Sequence, residues 1–135
     1  MSIPVEAKDI LKTIEEFGTS AYIISNSENG HPHVANLEFL IRDGALIFKV
    51  GRRGTSNIEK SPQVTLLWPP KETGGYNLII DGFASKHSDG DSFGQEWKIS
   101  FNSGILHRPA GQNSMSGDCL LYTSDAADER SSVDL

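Results

Sequence analysis

The sequence predicts one mainly β domain, a six-stranded antiparallel barrel that is closed or nearly closed. One helix leads it, and a short helix lies between strands three and four. Three observations carry that prediction. Apolar residues alternate with polar ones along successive short segments after residue 20. Turn-forming residues punctuate those segments at the spacing of hairpin-connected strands. A three- and four-residue apolar step, the mark of a helix, is clear only at the start of the chain.

Val5 to Phe17 is the leading helix. Ile10, Leu11, Ile14 and Phe17 share one side, and Lys8, Asp9, Lys12, Glu15 and Glu16 surround the other. Pro4 suits its first turn and Gly18 its stop. Ala21 to Ile24 is the first strand, followed by turn chemistry from Asn26 to Gly30. Ala35, Leu37 and Phe39 alternate along the second, and Asp43-Gly44 signals a hairpin. Leu46, Phe48 and Val50 make one face of the third, which leaves Lys49 on the other. Ser56 to Lys60 is long enough for one or two helical turns, capped by Thr55 or Ser56 and ended by Pro62. Val64, Leu66 and Trp68 form the fourth strand, stopped by Pro69-Pro70 because neither proline can donate to a ladder. Asn77 to Lys86 and Glu96 to His107 supply the last two, joined by a polar turn from Ser88 to Gly94.

The 135 residues suit a single domain with a modest core. A net charge of −6 argues against a general nucleic-acid binder, although a local basic cluster can still hold a small anion. No apolar run approaches the length of a membrane span, and Met1 to Phe17 lacks a signal peptide's apolar stretch, so a cytoplasmic protein is expected. Cys119 is the only cysteine, which excludes an intrachain disulfide and a cysteine zinc site. It opens a segment, Cys119 to Leu135, with no clear period and a net charge of −3. That segment resembles the translated end of a sequencing adapter, and a genuine disordered acidic tail is the alternative. The expected organisation is a domain over 1–112 and an unstructured tail over 113–135, with 119–135 derived from the adapter.

The densest chemistry lies in Lys49-Val50-Gly51-Arg52-Arg53-Gly54-Thr55-Ser56-Asn57. Guanidinium forks, hydroxyl donors and unpaired backbone N–H groups at a helix start are what a phosphate needs. Two glycines let the backbone approach closely. An ordinary solvated basic turn is the competing reading of these residues alone.

The wider context adds a resemblance. Phe48-Lys49, the Arg-Arg-x-Thr-Ser-Asn-Ile turn and the strand Pro62-Gln63-Val64-Thr65-Leu66 together resemble the flavin-binding split barrels related to pyridoxamine 5′-phosphate oxidase. Ile80-Asp81-Gly82-Phe83-Ala84 is similar to a later strand of that family, and Ile105 to Ala110 to a C-terminal motif of a small branch. The resemblance runs from the first helix to about Ala110 and rests on the order and spacing of the motifs. It implies a six-stranded split barrel, working as a homodimer with the cofactor at the subunit interface. It further implies that Lys49, Arg52 and Arg53 neutralise a flavin phosphate, with Thr55, Ser56 and Asn57 as donors. Counting back from Pro62 places Arg53 at the family's arginine, while the turn is about one residue shorter than in the oxidase.

Nothing here corresponds to the oxidase's substrate-binding C-terminal extension, so the smaller relatives are the better guide. Their cofactors are FMN, FAD, the deazaflavin F420 or haem. The implied activity is hydride transfer to or from a small organic substrate, and the alternative is a non-catalytic carrier of flavin, haem or an anionic metabolite. An oligonucleotide-binding barrel would need a basic groove that the cation distribution lacks. Trp68 either stacks on a cofactor ring or finishes the core at the barrel rim. His31 and His33 face solvent, or contact a cofactor or metal. Trp97 continues an apolar face and reads as core. His107-Arg108 reads as a clamp at the end of the barrel, with a second anion contact as the alternative.

Overall fold

The computed structural model describes residues 1–91 and 94–109. The expected tail boundaries and adapter segment lie outside the described residues. The domain is an antiparallel sheet curled into a half-barrel, with helices packed against it. In chain order the elements are β1 (Ser2–Val5), a single 3-10 turn (Ala7–Asp9), α1 (Ile10–Phe17), β2 (Ser20–Asn26), β3 (Pro32–Glu38) and β4 (Leu40–Arg42). There follow β5 (Ala45–Val50), α2 (Arg52–Lys60), β6 (Gln63–Trp68), β7 (Asn77–Asp91) and β8 (Gly94–His107). The strands pair in the order β3-β2-β6-β7-β8-β5-β4, and β1 adds to β8.

All six expected strands are present, and two differences raise the number among the described residues to eight. Ser2–Val5 is a strand rather than a lead-in to the helix. It pairs with β8 from Ser2↔His107 to Val5↔Gly104. Pro4 sits there because β1 pairs on one side only, where a missing N–H is tolerated. The second expected strand divides at Phe39, whose N–H leaves the ladder to donate to the Thr19 carbonyl at 2.7 Å. Its buried ring packs on Phe48 and Trp68, at centroid distances of 5.7 and 5.9 Å. The hairpin at Asp43-Gly44 forms as expected, both residues having positive φ.

The core lies between α1 and the inner face of the sheet. Ile10 and Ile14 of α1 meet Leu66 and Trp68 of β6, Leu78 and Ile80 of β7, and Ile99 of β8. Gly18 ends α1 at φ 103°, and its own N–H returns to the Ile14 carbonyl. Trp97 is buried in this core. At the far end, His107 Nδ1 shares a 3.1 Å hydrogen bond with Ser2 Oγ, and the backbones of Met1 and Arg108 exchange two further bonds. The Arg108 guanidinium lies 4.7 Å from the centre of the Tyr76 ring. His107 and Arg108 therefore clamp β1 and the β7 entry onto the end of β8.

Candidate functional site

The helix between β5 and β6 begins four positions earlier than its sequence suggests. Gly51 is its N-cap in an extended conformation, and Arg52 opens the first turn. The Thr55 N–H closes that turn on the Gly51 carbonyl at 2.9 Å, so the N–H groups before it have no partner within the helix. Neither Thr55 nor Ser56 caps it. Gly54 lets the first turn lie close to the end of β5: a Cβ there would stand 3.0 Å from the Val50 Cβ, tight enough to push the two apart by a few tenths of an ångström.

Two adjoining cavities open beside this turn. The first, about 330 Å³, runs between α2 and the inner faces of β2 and β3. Its apolar wall is Ile23, Ala35, Leu37, Val50 and Ile58, and its rim is Arg52 and Arg53. The second, about 440 Å³, lies between α2 and the β2–β3 loop and is polar, with His31, Asn29, Ser27, Arg53 and Asn57 around it. His33 and Arg53 line both. Among the described residues neither Arg52 nor Arg53 has an ion-pair or hydrogen-bond partner. Guanidiniums and free first-turn N–H groups form an all-donor rim, to which the α2 dipole adds partial positive charge.

Three of the seven residues singled out in the sequence line these cavities: Arg52, Arg53 and Asn57. Lys49 does not. Strand alternation puts it on the face opposite Val50, in register with Glu96 of β8. Thr55 is half-buried, with its hydroxyl 3.4 Å from the Val50 carbonyl, and Ser56 is exposed on another side of α2. Trp68 is a core residue, 1% exposed, and its indole N–H donates to the Gly18 carbonyl at 2.8 Å. It presents no ring face to a ligand within the protomer, so of its two readings the structure takes the core.

β2 and β3 supply the rest of the lining, including His33, which the sequence left between a solvent-facing and a ligand-contacting reading. Ser25 and His33 are register partners on the inner face, as are Ile23 and Ala35. The signal was the phase of β3: His33 alternates with Ala35 and Leu37, so the strand that buries those two must also turn His33 inward. The β2–β3 loop is held by its own bonds, Ser27 Oγ to Asn29 Oδ1 at 2.6 Å and to the His31 carbonyl. Glu28, which also lines the polar cavity, pairs with Lys60 of α2 at 2.5 Å, and that ammonium holds its carboxyl below the usual carboxylate range. No group of three or more metal-ligating side chains occurs among the described residues. No helix among them is long and apolar enough to cross a membrane.

No family model matches the chain. An uncharacterised protein of Mycobacterium bovis is 28% identical over 120 residues, covering 76% of this chain and 84% of the relative, and one from Mycobacterium tuberculosis matches equally. Among solved structures, a candidate pyridoxamine 5′-phosphate oxidase from Listeria innocua superposes with a TM-score of 0.62 at 21% identity, over 75% of this chain and 98% of its own. An FAD-binding protein from Mesorhizobium loti gives 0.59 at 13% identity, over 78% and 96%. A haem-binding protein from Mycobacterium smegmatis gives 0.61 at 14%, over 82% of this chain and 57% of that one. The curled antiparallel sheet, its N-terminal helix and these superpositions establish the split-barrel fold, one shared by flavin- and haem-binding proteins.

Proposed function

We propose that the protein is a flavin- or deazaflavin-dependent oxidoreductase of the pyridoxamine 5′-phosphate oxidase-like class, with FMN the first choice of cofactor and F420 or FAD the alternatives. The observation that carries this reading is the apolar cavity whose mouth is ringed by Arg52, Arg53 and the free N–H groups opening α2. An amphiphilic ligand, with a flat apolar body and a phosphate, matches that pairing of wall and rim. The donors present fit a phosphate: two unpaired guanidiniums supply charge and forked hydrogen bonds, and Gly51 leaves the backbone open at the helix start.

A bound flavin or deazaflavin supplies hydride transfer between a reduced donor and a small organic acceptor. The chain's part is to bind, orient and exclude water. Arg52 and Arg53 hold the phosphate, and Ile23, Ala35, Leu37 and Ile58 keep the neighbouring space dry. A homodimer completing the pocket is part of the proposal, because both cavities open to the surface of the protomer.

A second reading rests on His33, whose imidazole reaches both cavities: a carrier of haem on the same barrel, with His33 as iron ligand. A visible spectrum of the purified protein, before and after addition of FMN, F420 and haemin, separates these outcomes. Flavin or deazaflavin binding, followed by turnover on anaerobic mixing with NADH, NADPH or reduced F420 and an acceptor, supports the oxidoreductase. A Soret band lost in His33→Ala supports the carrier. Absence of binding by all three overturns both.

A further inference from the structure

We infer that the polar cavity between the β2–β3 loop and α2 is an oxyanion subsite of its own, which holds the carboxylate or phosphate of a small acidic substrate beside the cofactor pocket. The inference rests on the reading above for what occupies the neighbouring apolar cavity.

The leading observation is Asn57. It is 9% exposed, it lines this cavity, and its Nδ2 is buried without a hydrogen-bond partner. Leaving a buried amide donor unsatisfied is costly, and such groups mark places where a ligand or water completes the structure. Arg53 stands one helical turn before it and lines the same cavity, also unpartnered among the described residues. Both groups are donors, and a guanidinium has no acceptor at all. An oxyanion, rich in acceptors, would satisfy them together.

The charges around the cavity agree. The carboxylate at its edge, Glu28, is engaged by Lys60 of α2, so the two cancel. Within the protomer Arg53 has no ionic partner, and it is shared between this cavity and the apolar one, with His31 and His33 as further polar groups around it. The apolar cavity has a different composition, with Arg52 at its rim and aliphatic walls. One arginine and one histidine, Arg53 and His33, stand on the boundary between the two spaces. A phosphorylated cofactor on one side and an acidic substrate on the other would therefore be neighbours.

The test uses the full chain, with and without saturating FMN, at constant ionic strength. Inorganic phosphate and acetate are titrated separately while the imidazole nitrogen resonances of the four histidines are followed by NMR. Expected is a saturable millimolar shift at His31 and His33 from one anion in both forms, with His87 and His107 unmoved; which anion acts tells a phosphorylated substrate from a carboxylic acid. Asn57→Leu should weaken that binding at least fivefold while remaining folded. Should it fail to fold, His33→Gln provides the same readout through His31. No saturable shift with either anion overturns the subsite. A shift that FMN abolishes also overturns it, since the cavity would then be the cofactor's own phosphate pocket. A shift that persists in a protein unable to bind FMN supports the subsite and removes the flavin reading instead.

Discussion

Arg53 and Asn57 lie four residues apart on α2, so one turn of helix turns both toward the same polar cavity. Thr55 and Ser56, between them in sequence, point elsewhere. A helix, unlike an extended turn, presents only every third or fourth side chain to one side. Only a subset of the basic segment's residues therefore lines the cavities, and that subset can be tested.

Arg53→Ala should weaken FMN binding about tenfold, the usual effect of losing one charge-assisted contact. Lys49→Ala should change it less than about twofold, since Lys49 lies across the strand beside Glu96. Flavin fluorescence titration measures both. Equal losses would mean that the phosphate sits on the other face of β5.

Trp68→Phe should cost about 1–3 kcal/mol of stability, from the smaller ring and the orphaned Gly18 carbonyl. Cofactor affinity should stay the same. Urea denaturation and a binding titration on one preparation separate the effects; lost affinity with unchanged stability would return Trp68 to the binding site.

Gly82 follows the β7 irregularity at Asp81, and a Cβ added there would meet the Ser100 carbonyl oxygen at 2.5 Å. That neighbour is backbone and cannot rotate away. Gly82→Ala should therefore destabilise by roughly 1–3 kcal/mol, read as a lower midpoint in urea. An unchanged midpoint would show that β7 and β8 part easily here.

The Glu28–Lys60 pair gives a pH effect of known sign. Lys60, through its hydrogen bond and its charge, lowers the folded-state pKa of Glu28 below that of an ordinary glutamate. Its stabilising contribution is thus present above that value and lost as pH falls through the lower folded one. Both groups are exposed, so the effect should be small and should fade with salt. Carbon-13 NMR titration of the Glu28 carboxyl, with and without Lys60→Ala, measures the shift directly; no change on substitution would remove the pair.

Much of the fold was legible because its signals are local. Asp43-Gly44 fixed a hairpin through backbone chirality, Pro69-Pro70 ended β6 through missing donors, and alternation separated Lys49 from Val50. Less visible were features set by distant partners. Ser2–Val5 is a strand because β8 offers an edge to it, and Phe39 leaves its strand because Phe48 and Trp68 make a place for its ring. The start of α2 was hidden for a similar reason: Gly54 reads as a helix breaker until Val50 is seen packed against it. In the site, Arg52 and Arg53 announced themselves by charge. His33 stayed open between solvent and ligand, because the choice depends on the phase of β3 against a helix that follows two strands later.

His33 and Val50 line one cavity, yet their strands stand far apart in the pairing order, β3 at one end of the sheet and β5 next to the other. Only curling of the whole sheet brings them together. Hairpins such as β2–β3 can close early in folding, whereas β5 must wait for β8, distant in sequence. Contact order therefore predicts that the pocket forms late in folding. A ligand held there would bridge the two ends of the curled sheet and stabilise the folded chain in proportion to its supply.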